Sequence, residues 1–470
     1  MKENNIFLQS ALTVEGSFMK NRQVVDWLKA QNEKVAVGIN RIPFRKLKLW
    51  QVGHDVIRHD TGKFFSIIGI NIRTNWGTVS EWEQPIINQP EIGFLGFITK
   101  EFDGVLHFLM QAKIEPGNIN HVQLSPTLQA TKSNYTKAHK GNAPRYLDYF
   151  RQVKPEQVLL DQLQSEQGAR FLKKRNRNII IKTDEEIPVY DNFIWLTLGQ
   201  IKALMNIDNV VNMDTRTVIS GIPFGSYQAG ELDLSWLKNS SAYRDTIRYR
   251  LLESVLINDK HLHSIDTIIS FITNLKSIYE LDIKQIPLSS MKQWVYDENE
   301  IRHQLNKYFK VIAVDVEIGN REVVGWTQPM IEPAQEGLCA FICKKINGIL
   351  HFAVQVKLEC GNFDIVELAP TVQSLTGDYK ERNKIPLLFL DEVLNAAPSS
   401  IIYDSYQSEE GGRFYREQNR NMIMLADEDF PVELPENFIW MTLNQLYVFL
   451  KFNNYLNIQA RNLIASLSFI

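Results

Sequence analysis

The sequence predicts an α+β fold built twice in one chain, each unit a mixed sheet flanked by helices. Three observations predict it. Sliding the 470-residue chain by 244 superimposes long ungapped stretches: from Trp82 to Tyr135, 23 of 54 positions are identical to their counterparts at 326–379, where chance gives about three. Short runs alternate apolar and polar residues, the period of half-buried strands. Other runs carry apolar residues at helical spacing.

Taken in order, a helix near 23–31 leads in. "FFSIIGINI" at 64–72 has the length of a buried strand rather than a membrane span. Further strands are expected around 94–99, 105–115 and 120–124. A helix around 162–175 carries "QSEQGARF", and another at 197–206 (TLGQIKALMN) closes the unit, with Gly104, Gly117 and Gly168 as punctuation. The repeat runs on as "QSEEGGRF" at 407–414 and "NFIWMTLNQ" at 437–445, with single-residue offset changes that belong in loops. Residues 1–224 form the first repeat and 261–470 the second. The segment 225–260 joins them through a linker helix within 240–257. A period above 200 residues means paired domains rather than a solenoid.

Composition bounds the function. Net charge is −3, the sequence pI is about 6.3 and 44% of residues are hydrophobic, giving no general pull toward nucleic acid or anionic lipid. Three cysteines are too few for a disulfide framework and suit a reducing cytoplasm. No secretion signal and no membrane span are read from the sequence. Cys339 and Cys343 have metal-like spacing, but they align with Leu95 and Thr99 in a strand and read as core. No HExxH, P-loop, GxSxG or dinucleotide fingerprint is present, so neither a metal nor a redox cofactor is expected.

The sharpest feature is a polar strand face. In "LMQAKIEPGN" the even positions through Ile114 are apolar, while Gln111, Lys113 and Glu115 follow one another on the other face. Alternate residues on a strand sit about 6.6 Å apart, so Lys113 and Glu115 can reach one small ligand. Lysine suits a phosphate or an oxyanion, and glutamate can move a proton. The second repeat writes the same face as Gln355, Lys357 and Glu359. The segment "SPTLQATKSNYTKAHKG" (125–141) reads as a binding loop with Ser125, Thr127, Gln129, Ser133, Asn134, Tyr135 and His139. Asn118, in the recurring Gly-Asn turn, joins this set. Within "KKRNRN", only Arg177 and Asn178 recur, as Arg420 and Asn421. Trp82, beside Gln84-Pro85, is a candidate pocket wall, whereas Trp50 and Trp195 read as core. The matching second pocket comprises Trp326, Gln355, Lys357, Glu359, Thr371, Gln373, Tyr379, Arg420 and Asn421.

Together "LQSEQGARF…KKRNRN", "SPTLQATKSNY", "NMDTRTV" and the doubled "QPxI" turn resemble the NDP-hexose 2,3-dehydratases of deoxysugar pathways, from about Pro43 to the C-terminus. The resemblance implies two Nudix-like domains per subunit, a homodimer, and an NDP-4-keto-6-deoxyhexose substrate, most often dTDP-linked. The metal-binding helix signature of Nudix hydrolases is missing from both copies, so the fold is expected without the hydrolysis. A sugar-nucleotide hydrolase and a non-catalytic sugar-nucleotide sensor are the alternative readings. The chemistry implied needs a base for C3, an acid for the C2 hydroxyl and donors for the enolate oxygen. Glu115 or His139 is the expected proton-transfer group. Lys113 and Tyr135 are expected to stabilise the enolate or protonate the departing hydroxyl. The labile product implies a downstream NDP-sugar 3-ketoreductase or aminotransferase. The second loop has lost hydroxyls and its histidine, so the first pocket is expected to be catalytic and the second a relic, structural or a weak nucleotide site.

Overall fold

A computed structural model describes residues 2–16, 18–131, 144–224, 246–319, 325–375 and 387–470, with side chains from Ile6 onward. Each repeat is built around a seven-stranded sheet. In the first, the strands Val158–Ser165, Arg175–Lys182, Gly93–Phe102, Val105–Ile114 and Phe193–Thr197 follow in that order, and Val122–Ser125 and Leu128–Ala130 add to Val105–Ile114 and Gly93–Phe102. One junction, Arg175–Lys182 against Gly93–Phe102, is parallel, which makes the sheet mixed. The second repeat reproduces the order, with Gly337–Ile346 and Gln418–Leu425 as its parallel pair.

The strands at 66–74, 93–102, 105–114 and 122–125 and the helices Asn21–Glu33 and Leu198–Leu204 match the expected elements. One expectation is corrected. "QSEQGARF" lies on no helix: Gln164 and Ser165 end the strand Val158–Ser165, and Glu166–Leu172 turn back toward Arg175–Lys182. The reason is that these polar side chains are buried and bonded across the molecule, as when Gln164 Nε2 donates to Leu450 O (2.9 Å), so no amphipathic helical face exists. The helix expected within 240–257 is Ile247–Leu256. Its Ser254 hydroxyl donates to Leu350 O (2.7 Å) as Ser10 of Lys2–Ala11 donates to Leu106 O (2.6 Å).

The repeats exchange strands. Val37–Ile42 of the first pairs antiparallel with Phe309–Ile318 of the second, and Leu281–Ile286 of the second pairs with Ser66–Thr74 of the first. Each five-stranded sheet therefore contains a strand from the other repeat, and one apolar cluster takes residues from both, including Phe97, Phe108, Phe341 and Phe352.

The seam is also polar. Helices Met213–Ser220 and Ile458–Ser466 pack together, each entirely buried. Arg216 donates to Val211 O (2.7 Å) of its own repeat and to Gln407 Oε1 (2.9 Å) and Ser408 O (2.6 Å) of the other. Arg461 reciprocates with Leu456 O (2.6 Å) and, in the first repeat, the Ser165 carbonyl. A buried guanidinium needs most of its donors met, and each of these draws its acceptors from both repeats.

Candidate active site

At the end of Val105–Ile114 the polar face meets a tight turn. Asn118 N donates to Glu115 O (3.2 Å), and the Asn118 amide donates to His121 O (3.0 Å). Gly117 N donates to Gly411 O (2.7 Å) inside "QSEEGGRF", and Gly361 N donates to Gly168 O (2.6 Å) inside "QSEQGARF". A Cβ on Gly117 would lie 1.7 Å from Phe414 O, and one on Gly361 1.8 Å from Phe171 O. Only glycine permits this approach, which gives the recurring Gly-Asn element a physical reason. Each motif therefore docks on the polar face of the opposite repeat.

A cavity of about 600 Å³ opens at the first such junction. Lys113, Glu115, Gln129 and Asp214 of the first repeat line it, facing Trp326, Glu410 and Arg413 of the second. Glu166 and Lys174 complete the charged wall, and Trp50, Phe64 and Phe65 the apolar one. Arg413 stacks on Phe65 at 4.2 Å and donates to Gly412 O (2.9 Å). Trp326 Nε1 donates to Gln328 Oε1 (2.8 Å), and Gln328 donates to Gly412 O (2.7 Å).

A chain of amides braces the carboxylates. Gln129 Nε2 donates to Glu115 Oε1 (2.7 Å); Asn212 Nδ2 donates to Gln129 Oε1 (3.2 Å) and Ser125 Oγ (2.9 Å). Asn212 also caps Met213–Ser220 by accepting from Thr215 N (2.8 Å). Asp214 sits in the first turn of that helix, 4% exposed. No donor among the described residues bonds its carboxylate. Burial pushes its carboxyl well above the usual range; Glu115, Glu410 and Glu166 add to the effect and Lys113 opposes it. The helix dipole favours the anion by about 0.3–1 kcal/mol, under one pKa unit, whereas full burial moves a carboxyl by several, so burial wins. Burial likewise raises Glu410, and it brings Glu166 to about 7 against Arg461 and Lys174. Burial lowers Lys174 to about 8, with Glu166 opposing.

Of the expected site residues, Lys113, Glu115 and Gln129 line the cavity. Ser133, Asn134, Tyr135 and His139, with Tyr379, lie outside the described residues; Thr131 and Pro144, which bracket the first four, both line the cavity. The other expected residues have these places and partners. Trp82 and Gln84 serve the opposite junction, where Gln84 donates to Ala169 O (3.0 Å), while Trp326, assigned to the second pocket, lines the first. Strand exchange causes this swap. Arg177 forms a two-pronged pair with Asp161 (2.7 and 2.6 Å) on the sheet surface, and Arg420 does the same with Asp404 (2.8 and 2.6 Å). Asn178 donates to Thr217 O (3.3 Å) and Asn421 to Asn419 O (2.9 Å). Thr127 and Thr371 tie neighbouring strands through Leu109 O and Ala353 O (both 2.5 Å). Ser125 and Asn118 are braces, and Gln111 lies one step before Lys113 on the same face, beyond the cavity lining. Cys339 and Cys343 are buried core, as expected.

In the second repeat Gln373 Nε2 donates to Glu359 Oε1 (2.9 Å), Asn457 donates to Gln373 Oε1 (2.7 Å) and Lys357 Nζ donates to Gln373 O (3.2 Å); Gln355 precedes them on the strand. The bracing is conserved between copies, but three wall groups differ. Asp214, Glu410 and Lys174 have Gln459, Gln167 and Glu417 as counterparts. Asp214 and Glu410 escape the sequence reading, and Lys174 enters it only as part of "KKRNRN"; a comparison of the copies for charge changes within the shared motifs finds all three.

A cavity that gathers an ammonium, an amide-braced carboxylate and a buried carboxyl around one space is the site of an acid–base enzyme acting on a polar organic substrate. The chain belongs to the NDP-hexose 2,3-dehydratase family, whose sequence profile matches residues 21–222 and again 265–467. Over 466 residues it is 45% identical to the dTDP-4-dehydro-6-deoxy-alpha-D-glucopyranose 2,3-dehydratase of Saccharopolyspora spinosa, covering 98% of this chain and 94% of the relative. Proteins of the same name from Amycolatopsis orientalis and Streptomyces violaceoruber are 40% and 41% identical, covering 98% and 93% of this chain and 92% and 95% of themselves. No helix among the described residues is long and apolar enough to cross a membrane.

Proposed function

We propose that the first cavity removes water across C2 and C3 of dTDP-4-keto-6-deoxyglucose. The observation that supports this reading is Lys113 and Glu115 together at one strand end, inside a cavity that Asp214 and Glu166 line from the same repeat and Glu410 and Arg413 close from the other. The 4-keto group acidifies the C3 proton. Glu115, with one carboxylate oxygen held by Gln129, takes that proton, and the Lys113 ammonium stabilises charge on the C4 oxygen. The electron pair then expels the C2 hydroxyl as water once it is protonated. The resulting enol takes a proton at C2 and becomes the 3,4-diketo-2,6-dideoxy sugar, which a reductase or aminotransferase acting at C3 must consume. Arg413 and Lys174, which line the same cavity, are the cations that this reading assigns to the pyrophosphate. The second junction, with Gln459 and Gln167 in place of acids, is the non-catalytic one. A homodimeric cytoplasmic enzyme with Nudix-like lobes belongs to the same reading.

Incubating the protein with dTDP-4-keto-6-deoxyglucose in deuterated water tests it. The expected product has lost one water and gained deuterium at C2 by mass spectrometry. Release of a sugar phosphate, or unchanged substrate, refutes the proposal.

A further inference from the structure

We propose that Asp214 is the acid that protonates the departing C2 hydroxyl. The inference rests on the dehydratase reading and deepens it. Hydroxide is a poor leaving group, so the site needs a proton donor as well as the base at C3. That donor must hold a proton at neutral pH and keep its oxygens free for the substrate.

Asp214 meets both needs by geometry. Asp214 lines the cavity while being almost wholly buried, and no donor among the described residues engages its carboxyl. A carboxylate buried without donors is costly, and protonation removes the cost. The charged groups around it are Glu115 and Lys113 on the strand end, Glu166 on the first repeat's own motif and Glu410 on the opposite one; three of these four are acids. Of the other raised carboxyls lining the cavity, Glu410 already accepts Gly412 N through Oε1 (3.1 Å) and stands beside the Arg413 guanidinium, and Glu166 accepts Asn176 Nδ2 through Oε1 (2.6 Å).

The same amides place both reacting groups. Glu115 bonds Gln129, Gln129 bonds Asn212, and Asn212 caps the helix whose first turn carries Asp214. Base and acid are thereby held at a fixed separation on rigid elements. The second repeat keeps every part of this relay, as Glu359, Gln373 and Asn457, and keeps Lys357. At the acid's position it has Gln459, whose buried amide nitrogen and oxygen have no hydrogen-bond partner among the described residues. The second junction thus keeps the counterparts of base and enolate donor and lacks that of the acid, along with those of Glu410 and Lys174.

The test separates proton abstraction from elimination. In Asp214→Asn, conversion of dTDP-4-keto-6-deoxyglucose should fall by about 10²–10⁴-fold, while exchange of the C3 proton with deuterated water continues, because Glu115 and Lys113 are intact. A 2-deoxy-2-fluoro analogue, whose fluoride leaves without prior protonation, should be turned over by the variant at a rate within about tenfold of the parent. Asp214→Gln, copying the second repeat, should behave alike and stands in if the asparagine variant misfolds. Elimination near the parental rate refutes the assignment. So does joint loss of exchange and of fluoride release in a variant with the parental melting curve. The same split of exchange from elimination in Glu410→Gln, but not in the Asp214 variants, reassigns the acid and overturns the proposal. A parent that neither exchanges nor eliminates sinks the dehydratase reading instead.

Discussion

Gly117→Ala tests the claim that close contact between the repeats builds the site. The new Cβ would sit 1.7 Å from Phe414 O and 2.7 Å from Gly411 O. Ordinary contact requires the turn and the motif to separate by about 1.5 Å. That movement stretches the bonds from Gly117 N to Gly411 O (2.7 Å) and from Arg416 N to Gly117 O (2.8 Å). Two hydrogen bonds are worth about 2 kcal/mol net, and overpacking adds about 1–3 kcal/mol, so the loss is about 3–5 kcal/mol. Unfolding entropy of about 2.1 cal/mol/K per residue gives about 1 kcal/mol/K for a chain of this length, hence a drop in Tm of about 3–5 °C in one transition. Turnover should fall with it, because Glu115 and Glu410 are carried by the two segments that part. Calorimetry and a dehydration assay read both. A variant with parental Tm and parental kcat would show that the junction tolerates separation and refute the reasoning.

Glu115→Gln should lower dehydration by about 10²–10⁴-fold and abolish C3 exchange, while retaining nucleotide-sugar affinity by calorimetric titration; full exchange would exclude Glu115 as the base. Lys202, wholly buried, donates to Ala465 O (2.7 Å) and Leu467 O (2.9 Å), and burial lowers its pKa to about 7. Between that value and about 10.4 the unfolded chain binds more protons than the folded one, so Lys202 costs stability in full below pH 7 and less as pH rises. The Tm of the parent relative to Lys202→Met should therefore climb from pH 7 to pH 9, by the equivalent of about 2–3 kcal/mol; an unchanged difference would contradict the charged-state argument. Residues 1–224 expressed alone should lack a cooperative melt, and co-expression with the remainder should restore dehydration, because each half holds a sheet strand and the partners of the buried arginine of the other.

The duplication, the long strands and the Lys-Glu face were legible in the sequence because each rests on local spacing or on identity between copies. Partner choice was not. The run that gives Ser66–Thr74 announces a buried strand, but nothing in its period says that Leu281–Ile286 will lie beside it. That one exchange moves Trp326 into the first cavity and Trp82 away from it. Arg177 and Asn178 recur for structural reasons that look functional at the level of sequence: an ion pair with Asp161 and a hold on the helix carrying Asp214. The acidic wall stayed hidden because Asp214 lies within "NMDTRTV", where the shared arginine draws attention, and because Glu410 enters from the far repeat. Identity between copies marks the scaffold together with the Lys-Glu face, and the differences mark the acidic wall.

This division of labour explains how one junction can lose its chemistry while the fold keeps both. Each motif of the QSE type has two tasks. It supplies a wall for the opposite repeat's polar face, and its carbonyls receive the glycine amide and the buried arginine that hold the repeats together. The second task depends on backbone atoms, so it survives any change in the wall side chains. Gln167 can replace the acid found at Glu410, and Gln459 the acid at Asp214, without disturbing Gly361 on Gly168 or Arg461 on Ser165. A chain with two such junctions is therefore free to lose acid groups from one of them while stability still requires both motifs in full.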